Sequence, residues 1–224
     1  MERLRAAQTW LFDLDNTLYP AAVNLFAQMD ARMRAFIAAE LGLDEAAADA
    51  LRQRYYMEHG TTLTGLMRDH GTAPERFVAF VHDIDLSGVH ANPALDRALA
   101  RLPGRKIVFT NGSARHAERV LARLGVARHF EAIFDIEAAN YVPKPQTAPY
   151  ARVLAHHRID AARAVMVDDA ARNLAPAAQA GMTTVWIRTE SAHGRHGADG
   201  PHVHHVADDL AAFLDAIPPA LPAR

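Results

Sequence analysis

Thr9-Trp10-Leu11-Phe12-Asp13-Leu14-Asp15-Asn16-Thr17-Leu18-Tyr19 is the stretch on which the fold turns. An apolar run of strand length ends in two carboxylates separated by one residue. Three more short runs rich in Val, Ile, Phe or Trp, at 106–112, 164–169 and 183–188, have the same character and are predicted as buried strands. Helical stretches lie between the later runs. Ser113 is placed to cap a helix that runs through Leu124 and stops at Gly125, and a second, from Ala170 through Ala180, stops at Gly181. A glycine just past a helix end takes the left-handed conformation at little cost. Strand alternating with helix predicts a parallel sheet covered on both faces, a doubly wound α/β fold.

Residues 21–90 break the alternation. Phe26, Met29, Met33, Phe36 and Ile37 recur at helical spacing, and a second helix closes at Gly60. A third is expected over 63–69, and a fourth, opened by Thr72 with Pro74 in its first turn, over 75–82. Asn92-Pro93 then starts a helix with Leu95, Leu99 and Leu102 on one face. The predicted organisation is a core of residues 1–20 and 91–224 carrying a helical insertion at 21–90. There is no internal repeat. A biased segment at 191–205 holds five of the 13 histidines; without regularly spaced acidic partners it predicts a loop with exposed histidines rather than a metal site. Val203 and Val206 predict a short strand there, and the Pro-rich end from Ile217 onward is expected to fray.

The chain has 224 residues, 50% apolar and 22% charged, enough to bury a core. Lys plus Arg at 24 against Asp plus Glu at 26 gives a formal charge of -2, so no basic field favours a nucleic acid polymer or an anionic membrane. Cysteine is absent, which removes disulfides, thiolate metal sites and a cysteine nucleophile together. No run of about 18 apolar residues occurs, and the expectation is a soluble, cytoplasmic protein whose oligomeric state is not legible.

Asp13 and Asp15 stand where open α/β folds bind ligands, at the carboxyl end of a strand. Neighbouring carboxylates repel unless a cation holds them. A second pair, Asp168-Asp169, ends its strand in the same way, and together the pairs make an oxygen-only site suited to Mg²⁺. Thr110-Asn111-Gly112-Ser113 closes a strand and opens a helix, offering a hydroxyl, an amide and backbone N–H groups to an anion. Lys144 lies between Pro143 and Pro145. Metal, lysine, hydroxyl and helix start are the parts that stabilise a transferring phosphoryl group, and a carboxylate beside them can attack phosphorus.

With these four motifs in order, the chain resembles the haloacid dehalogenase superfamily: Asp13 to Thr17 as its DxDxT, then Thr110, Lys144 and Asp168-Asp169. The resemblance implies a Rossmann-like core, with 21–90 as a cap that covers the site and selects substrate. Members with both motif-I aspartates are mostly phosphatases, whereas the dehalogenases usually lack the second, so Asp15 implies phosphoryl chemistry. It implies Asp13 as nucleophile, Asp15 as general acid and base, and Thr110 and Lys144 on the phosphoryl oxygens. It further implies Mg²⁺ held by Asp13, Asp15 and one of Asp168 and Asp169, and alignment with the motif favours Asp169.

The stretches at 15–20, 55–66 and 81–86 further resemble the pyrimidine 5'-nucleotidase branch, implying UMP or CMP as the small-molecule phosphate ester. Asn111, Gly112, Tyr55 and Tyr56 are the other candidate substrate contacts. Tyr55 and Tyr56 are adjacent on a helix and point about 100° apart, so at most one can meet a given ligand, and core packing is the competing reading for each. Asn173, one turn after Asp169, either faces the site or packs. The rival functions are a phosphatase of a sugar phosphate or phosphoglycolate, a phosphotransferase or mutase, and a non-catalytic metabolite-binding regulator.

Overall fold

The computed structural model describes residues 1–218, so the expected fraying beyond them lies outside the described residues. Its strands are β1 (Thr9–Phe12), β2 (Arg105–Phe109), β3 (Ala132–Phe134), β4 (Ala164–Asp168), β5 (Thr183–Ile187) and β6 (His205–Ala207). They form one parallel sheet in the order β3-β2-β1-β4-β5-β6. β1, β4 and β5 are buried along their whole length, as expected of strands covered on both faces. The four longer strands are those the apolar runs predict. β6 matches the strand suggested by Val203 and Val206, whereas β3 is only three residues long and carries too little pattern to be seen in sequence.

The helices are α1 (Glu2–Arg5), α2 (Leu25–Leu41), α3 (Glu45–His59), α4 (Thr62–His70), α5 (Pro74–Val81), α6 (Pro93–Arg101), α7 (Ala114–Leu124), α8 (Thr147–His157), α9 (Ala171–Gln179), α10 (Ala192–Arg195) and α11 (Leu210–Asp215). Their ends follow local chemistry. Ser113 Oγ accepts from the His116 N–H at the start of α7, and Gly125 ends that helix at φ +76°. Asp44 and Thr61 cap α3 and α4, and Pro74 opens α5.

Helices α2 to α5 occupy the strand-free stretch between β1 and β2, but they do not build a separate core. Met29, Phe36, Ile37, Tyr55, Leu66, Phe77 and Val81 belong to the same continuous apolar cluster as Trp10, Phe12, Val108 and Val167 of the sheet. The return to the sheet is also tied down by polar contacts. Arg119 of α7 donates to the carbonyls of His82 and Ile84, and Arg123 to those of Ser87 and Val89. No described helix is long and apolar enough to cross a membrane. In the His-rich segment, Thr184 N–H donates to His204 Nδ1 and Thr184 Oγ1 to the His202 carbonyl, so these residues fasten the edge of the sheet.

Candidate active site

β1 is flanked by β2 on one side and β4 on the other; the chain runs outward from β1 through β2 to β3 and then crosses back to β4, and this reversal opens a crevice beyond the carboxyl ends of these strands. Asp13 directly follows β1, Thr110 follows β2, Asp168 ends β4, and Lys144 reaches in from the loop after β3. Local geometry explains the residue types. Asn16 takes φ +60°, a conformation asparagine tolerates better than most, and lets the chain turn sharply after Asp15. Thr17 Oγ1 then points toward Asp13 Oδ2 at 3.4 Å and accepts the Asp169 N–H at 3.0 Å, linking the two acidic motifs.

Lys144 is 2% exposed, and its Nζ donates to Asp13 Oδ1, Asp168 Oδ2 and the Phe109 carbonyl, each at 2.8 Å. Burial alone would lower its pKa; the charges of Asp13 and Asp168 outweigh that and hold the ammonium well above its ordinary value. Its backbone is fixed too. Asn111 Oδ1 accepts the Lys144 N–H at 2.8 Å and Asn111 Nδ2 donates to the Lys144 carbonyl at 3.2 Å. The Asn111 amide expected to meet an anion also holds the lysine backbone in place, through this pair of reciprocal bonds. Thr110 Oγ1 accepts the Gly112 N–H at 2.9 Å, and a Cβ on Gly112 would lie 3.3 Å from that oxygen, so the turn is compact. Asp135, after β3, accepts from Ala114 N–H and anchors the same turn.

The two acids at the end of β4 have unlike surroundings. Asp168 is fully buried and saturated: Oδ2 takes Lys144 and Oδ1 takes the Ala170 N–H, while Asn173 Nδ2 donates to both oxygens at 3.0 and 3.2 Å. Asn173 thus supports Asp168 from behind. The Asp169 carboxylate accepts no hydrogen bond among the described residues. Oxygens of Asp13, Asp168 and Asp169 lie within 4.8 Å of one another. Burial, then Asp168, pushes the Asp169 carboxyl up; burial also pushes Asp13 up, against the pull of Lys144. Crowded carboxylates with raised pKa values and one unpaired member form a donor set that fits a hard divalent cation such as Mg²⁺.

Asp15 is arranged differently. Both of its protein donors converge on Oδ1: Tyr19 Oη at 2.5 Å and His116 Nε2 at 2.8 Å. Burial alone would raise its pKa, but the His116 charge and the two hydrogen bonds hold the carboxyl below its ordinary value. The His116 ring stacks on His82 with centroids 4.7 Å apart and planes 13° apart, and His82 Nδ1 pairs with Ser113 Oγ at 3.1 Å. Sequence reasoning missed Tyr19, His82 and His116 as parts of the site. His116 carries no motif of its own; the available signal is its place in the first turn of the helix that Thr110-Asn111-Gly112-Ser113 opens.

The adjacent tyrosines point apart. Tyr55, a candidate substrate contact, is packed inward: it is 1% exposed, its hydroxyl pairs with His70 Nε2 at 2.8 Å, and its ring lies so close over Gly65 that a Cβ there would be 2.2 Å from its Cγ. Packing between α3 and α4 claims the whole side chain. Tyr56 turns to the sheet side, where its hydroxyl accepts from Arg172 Nη2 of α9 at 2.8 Å. A separate open cavity of about 630 Å³, lined by Gln8, Arg105, Lys106 and Asp160, lies at the amino ends of β1 and β2, away from these groups.

A family model of the haloacid dehalogenase-like hydrolases matches residues 8–181. The chain belongs to that family. Among curated relatives of this haloacid dehalogenase-like hydrolase, Phosphate metabolism protein 8 of Saccharomyces cerevisiae is 29% identical over 138 residues, covering 57% of the chain and 43% of that protein. The chain therefore spans less than half the length of this relative. Among solved structures it is similar to a 2-haloacid dehalogenase from Pseudomonas syringae pv. Tomato DC3000, with TM-score 0.59 and 23% identity over 93% of this chain and 97% of that one. It is also similar to a HAD phosphatase from Thermococcus onnurineus, with TM-score 0.61 and 16% identity over 93% and 96%. Both likenesses show the fold alone, and they are one dehalogenase and one phosphatase.

Proposed function

We propose that this protein is a Mg²⁺-dependent phosphomonoesterase acting through an aspartyl phosphate, with pyrimidine 5'-nucleotides as its substrate class. The observation that carries the reading is Asp15: a second motif-I carboxylate, fixed by two donors on one oxygen and beside an Asp13 already paired with Lys144. A dehalogenase has no leaving oxygen to protonate and no need of it.

Asp13 attacks phosphorus, forming the Asp13 O–P bond as the ester P–O bond breaks. Asp15 gives its proton to the departing oxygen. Although the carboxyl is held low in the free protein, an arriving phosphate puts like charge beside it and raises its pKa. Asp15 then takes a proton from water as that water displaces the Asp13 oxygen and releases phosphate. Lys144 and Thr110 bind phosphoryl oxygens and keep them in line. Asp13, the Asp15 backbone carbonyl and Asp169 would hold Mg²⁺, with Asp168 behind; the ion supplies positive charge that lets one anion approach another. Helices α2 to α5 act as the cap that chooses the alcohol portion, and Tyr56 is an aromatic ring of that block whose hydroxyl accepts from Arg172 of α9. The cysteine-free chain suits a cytoplasmic setting.

Phosphate release from a panel of esters with Mg²⁺, without added acceptor, tests the reading and separates hydrolysis from phosphotransfer. The expected result is kcat/KM for UMP and CMP at least about tenfold above AMP and GMP, which needs only about 1.4 kcal/mol of transition-state discrimination. Equal rates for the four, or faster turnover of a sugar phosphate or phosphoglycolate, remove the nucleotide assignment. Chloride release from 2-chloropropionate exceeding all phosphate release removes the phosphatase assignment.

A further inference from the structure

Resting on the phosphatase reading, we infer that His116, backed by the stacked ring of His82, is a positioning residue that fixes the rotation of the Asp15 carboxyl and so directs Oδ2 at the leaving group. The geometry has three parts. First, Asp15 Oδ1 is doubly occupied, by Tyr19 Oη and His116 Nε2, whereas Oδ2 accepts from no described residue. Oδ2 faces the Gly112 turn, where a Cβ would lie 3.6 Å from it. That is the edge of the crevice where, on the phosphatase reading, Thr110 and the start of α7 meet the phosphate. One hydrogen bond would leave the carboxyl free to swing about the bonded oxygen; two donors arriving from β1's own turn and from α7 remove that freedom.

Second, His116 spends its hydrogen bonding on Asp15 alone. An ionised carboxylate can only accept, so Nε2 carries the proton, and the buried Nδ1 has no partner. A buried polar atom left unpaired is costly, and an apolar residue would fill the same space without that cost. Packing alone therefore does not account for a histidine that is 1% exposed here.

Third, the ring is held in its plane. His82 stacks on it at 4.7 Å and is itself tied through Nδ1 to Ser113 Oγ, the residue that caps α7, while Arg119 Nη1 binds the His82 carbonyl. His82 ends α5, the last helix of the inserted block, so the exit of that block and the acid/base carboxyl share one rigid stack.

The test compares kcat/KM, which reports transfer to Asp13, for an alkyl phosphate and for 2,4-dinitrophenyl phosphate, whose leaving group departs without a proton. His116→Met is expected to lose on the order of 100-fold on the alkyl ester and under about tenfold on the dinitrophenyl ester, the range of general acid catalysis. His116→Gln, whose amide nitrogen reaches the Nε2 position, is expected to recover most of the alkyl activity. His116→Asn reaches only to Nδ1; it is expected to behave like the Met variant and replaces it if that variant does not fold. Equal losses on both esters, or no loss, overturn the inference. A crystal structure of the Met or Asn variant decides it independently of turnover: the Asp15 carboxyl is expected to rotate away from its present orientation, and an unmoved Asp15 overturns the positioning role. A wild-type protein that cleaves neither ester sinks the phosphatase reading alone.

Discussion

Asp168 and Asp169 are chain neighbours with opposite electrostatic positions. Asp168 is paired with Lys144 and saturated by Ala170 and Asn173, whereas Asp169 is crowded by other carboxylates and unpaired. Asp168→Ala leaves the buried Lys144 ammonium on Asp13 and the Phe109 carbonyl but strips the partners from Ala170 N–H and Asn173 Nδ2, and about 1–3 kcal/mol of stability should be lost in urea denaturation. Asp169→Asn should do the reverse in the metal-free protein. A carboxyl whose pKa is raised by folding contributes stability below its unfolded value and loses it as pH rises through the folded one. The amide has no such loss, so the variant should melt higher than wild type at alkaline pH while its Mg²⁺ affinity, read by calorimetry, falls. Asp13→Asn is nearly isosteric, and its turnover should drop by about 10³-fold or more with the fold intact by circular dichroism. Near-normal turnover would remove Asp13 as nucleophile. Of these residues, the acids, Thr110 and Lys144 are legible in sequence because each ends an apolar strand or sits in a marked loop. Tyr19, His82 and His116 are not, because their role arises only where three separate segments meet.

At the scale of elements, the contact between α3 and α4 is set by a ring over a glycine. In an exposed helix, glycine to alanine gains up to about 1 kcal/mol of helix propensity. At Gly65 the added Cβ would meet Tyr55 Cγ at 2.2 Å, and both Tyr55 and α4 are buried on that side. Overpacking should win, and Gly65→Ala should be less stable by about 1–3 kcal/mol in urea denaturation. A stabilised variant would show that the two helices separate easily. The helices of the insertion are visible in the sequence through their periodicity and their closing glycines, Gly60 among them at φ +80°. Tyr55 and Tyr56 show the limit of such reasoning. Periodicity establishes that they point apart, and only the packing partner of each face decides that Tyr55 goes inward to Gly65 and His70 while Tyr56 meets Arg172.

For the whole molecule, four carboxylates gather at the carboxyl end of the sheet and only two of them, Asp13 and Asp168, pair with Lys144, an arrangement that penalises the metal-free fold as pH rises. Burial raises the pKa of both Asp13 and Asp169, so stability present on the acid side is lost from the ordinary carboxylate range upward through neutrality. Bound Mg²⁺ needs these groups ionised and must displace their protons at low pH. The rise in Tm on adding a fixed Mg²⁺ concentration should therefore be larger at about pH 8 than at about pH 5.5, measured by thermal melting. An equal or larger rise on the acid side would exclude Asp13 and Asp169 as the ligands.

By itself the sequence determined the parallel α/β core, the helical insertion and the four strand-end motifs, because strand burial, helix periodicity and capping act over a few neighbouring residues. It did not determine β3, whose three residues are ordered by pairing with β2. Nor did it determine that the insertion shares its apolar core with the sheet, that Asn111 clamps Lys144, or that Asp15 is held by a tyrosine and a stacked histidine pair. These depend on groups far apart in the chain, such as Asp15 and His116 at 101 residues, reaching hydrogen-bonding or van der Waals distance. The tertiary structure alone decides such meetings, since no local rule of chain geometry fixes where distant segments touch.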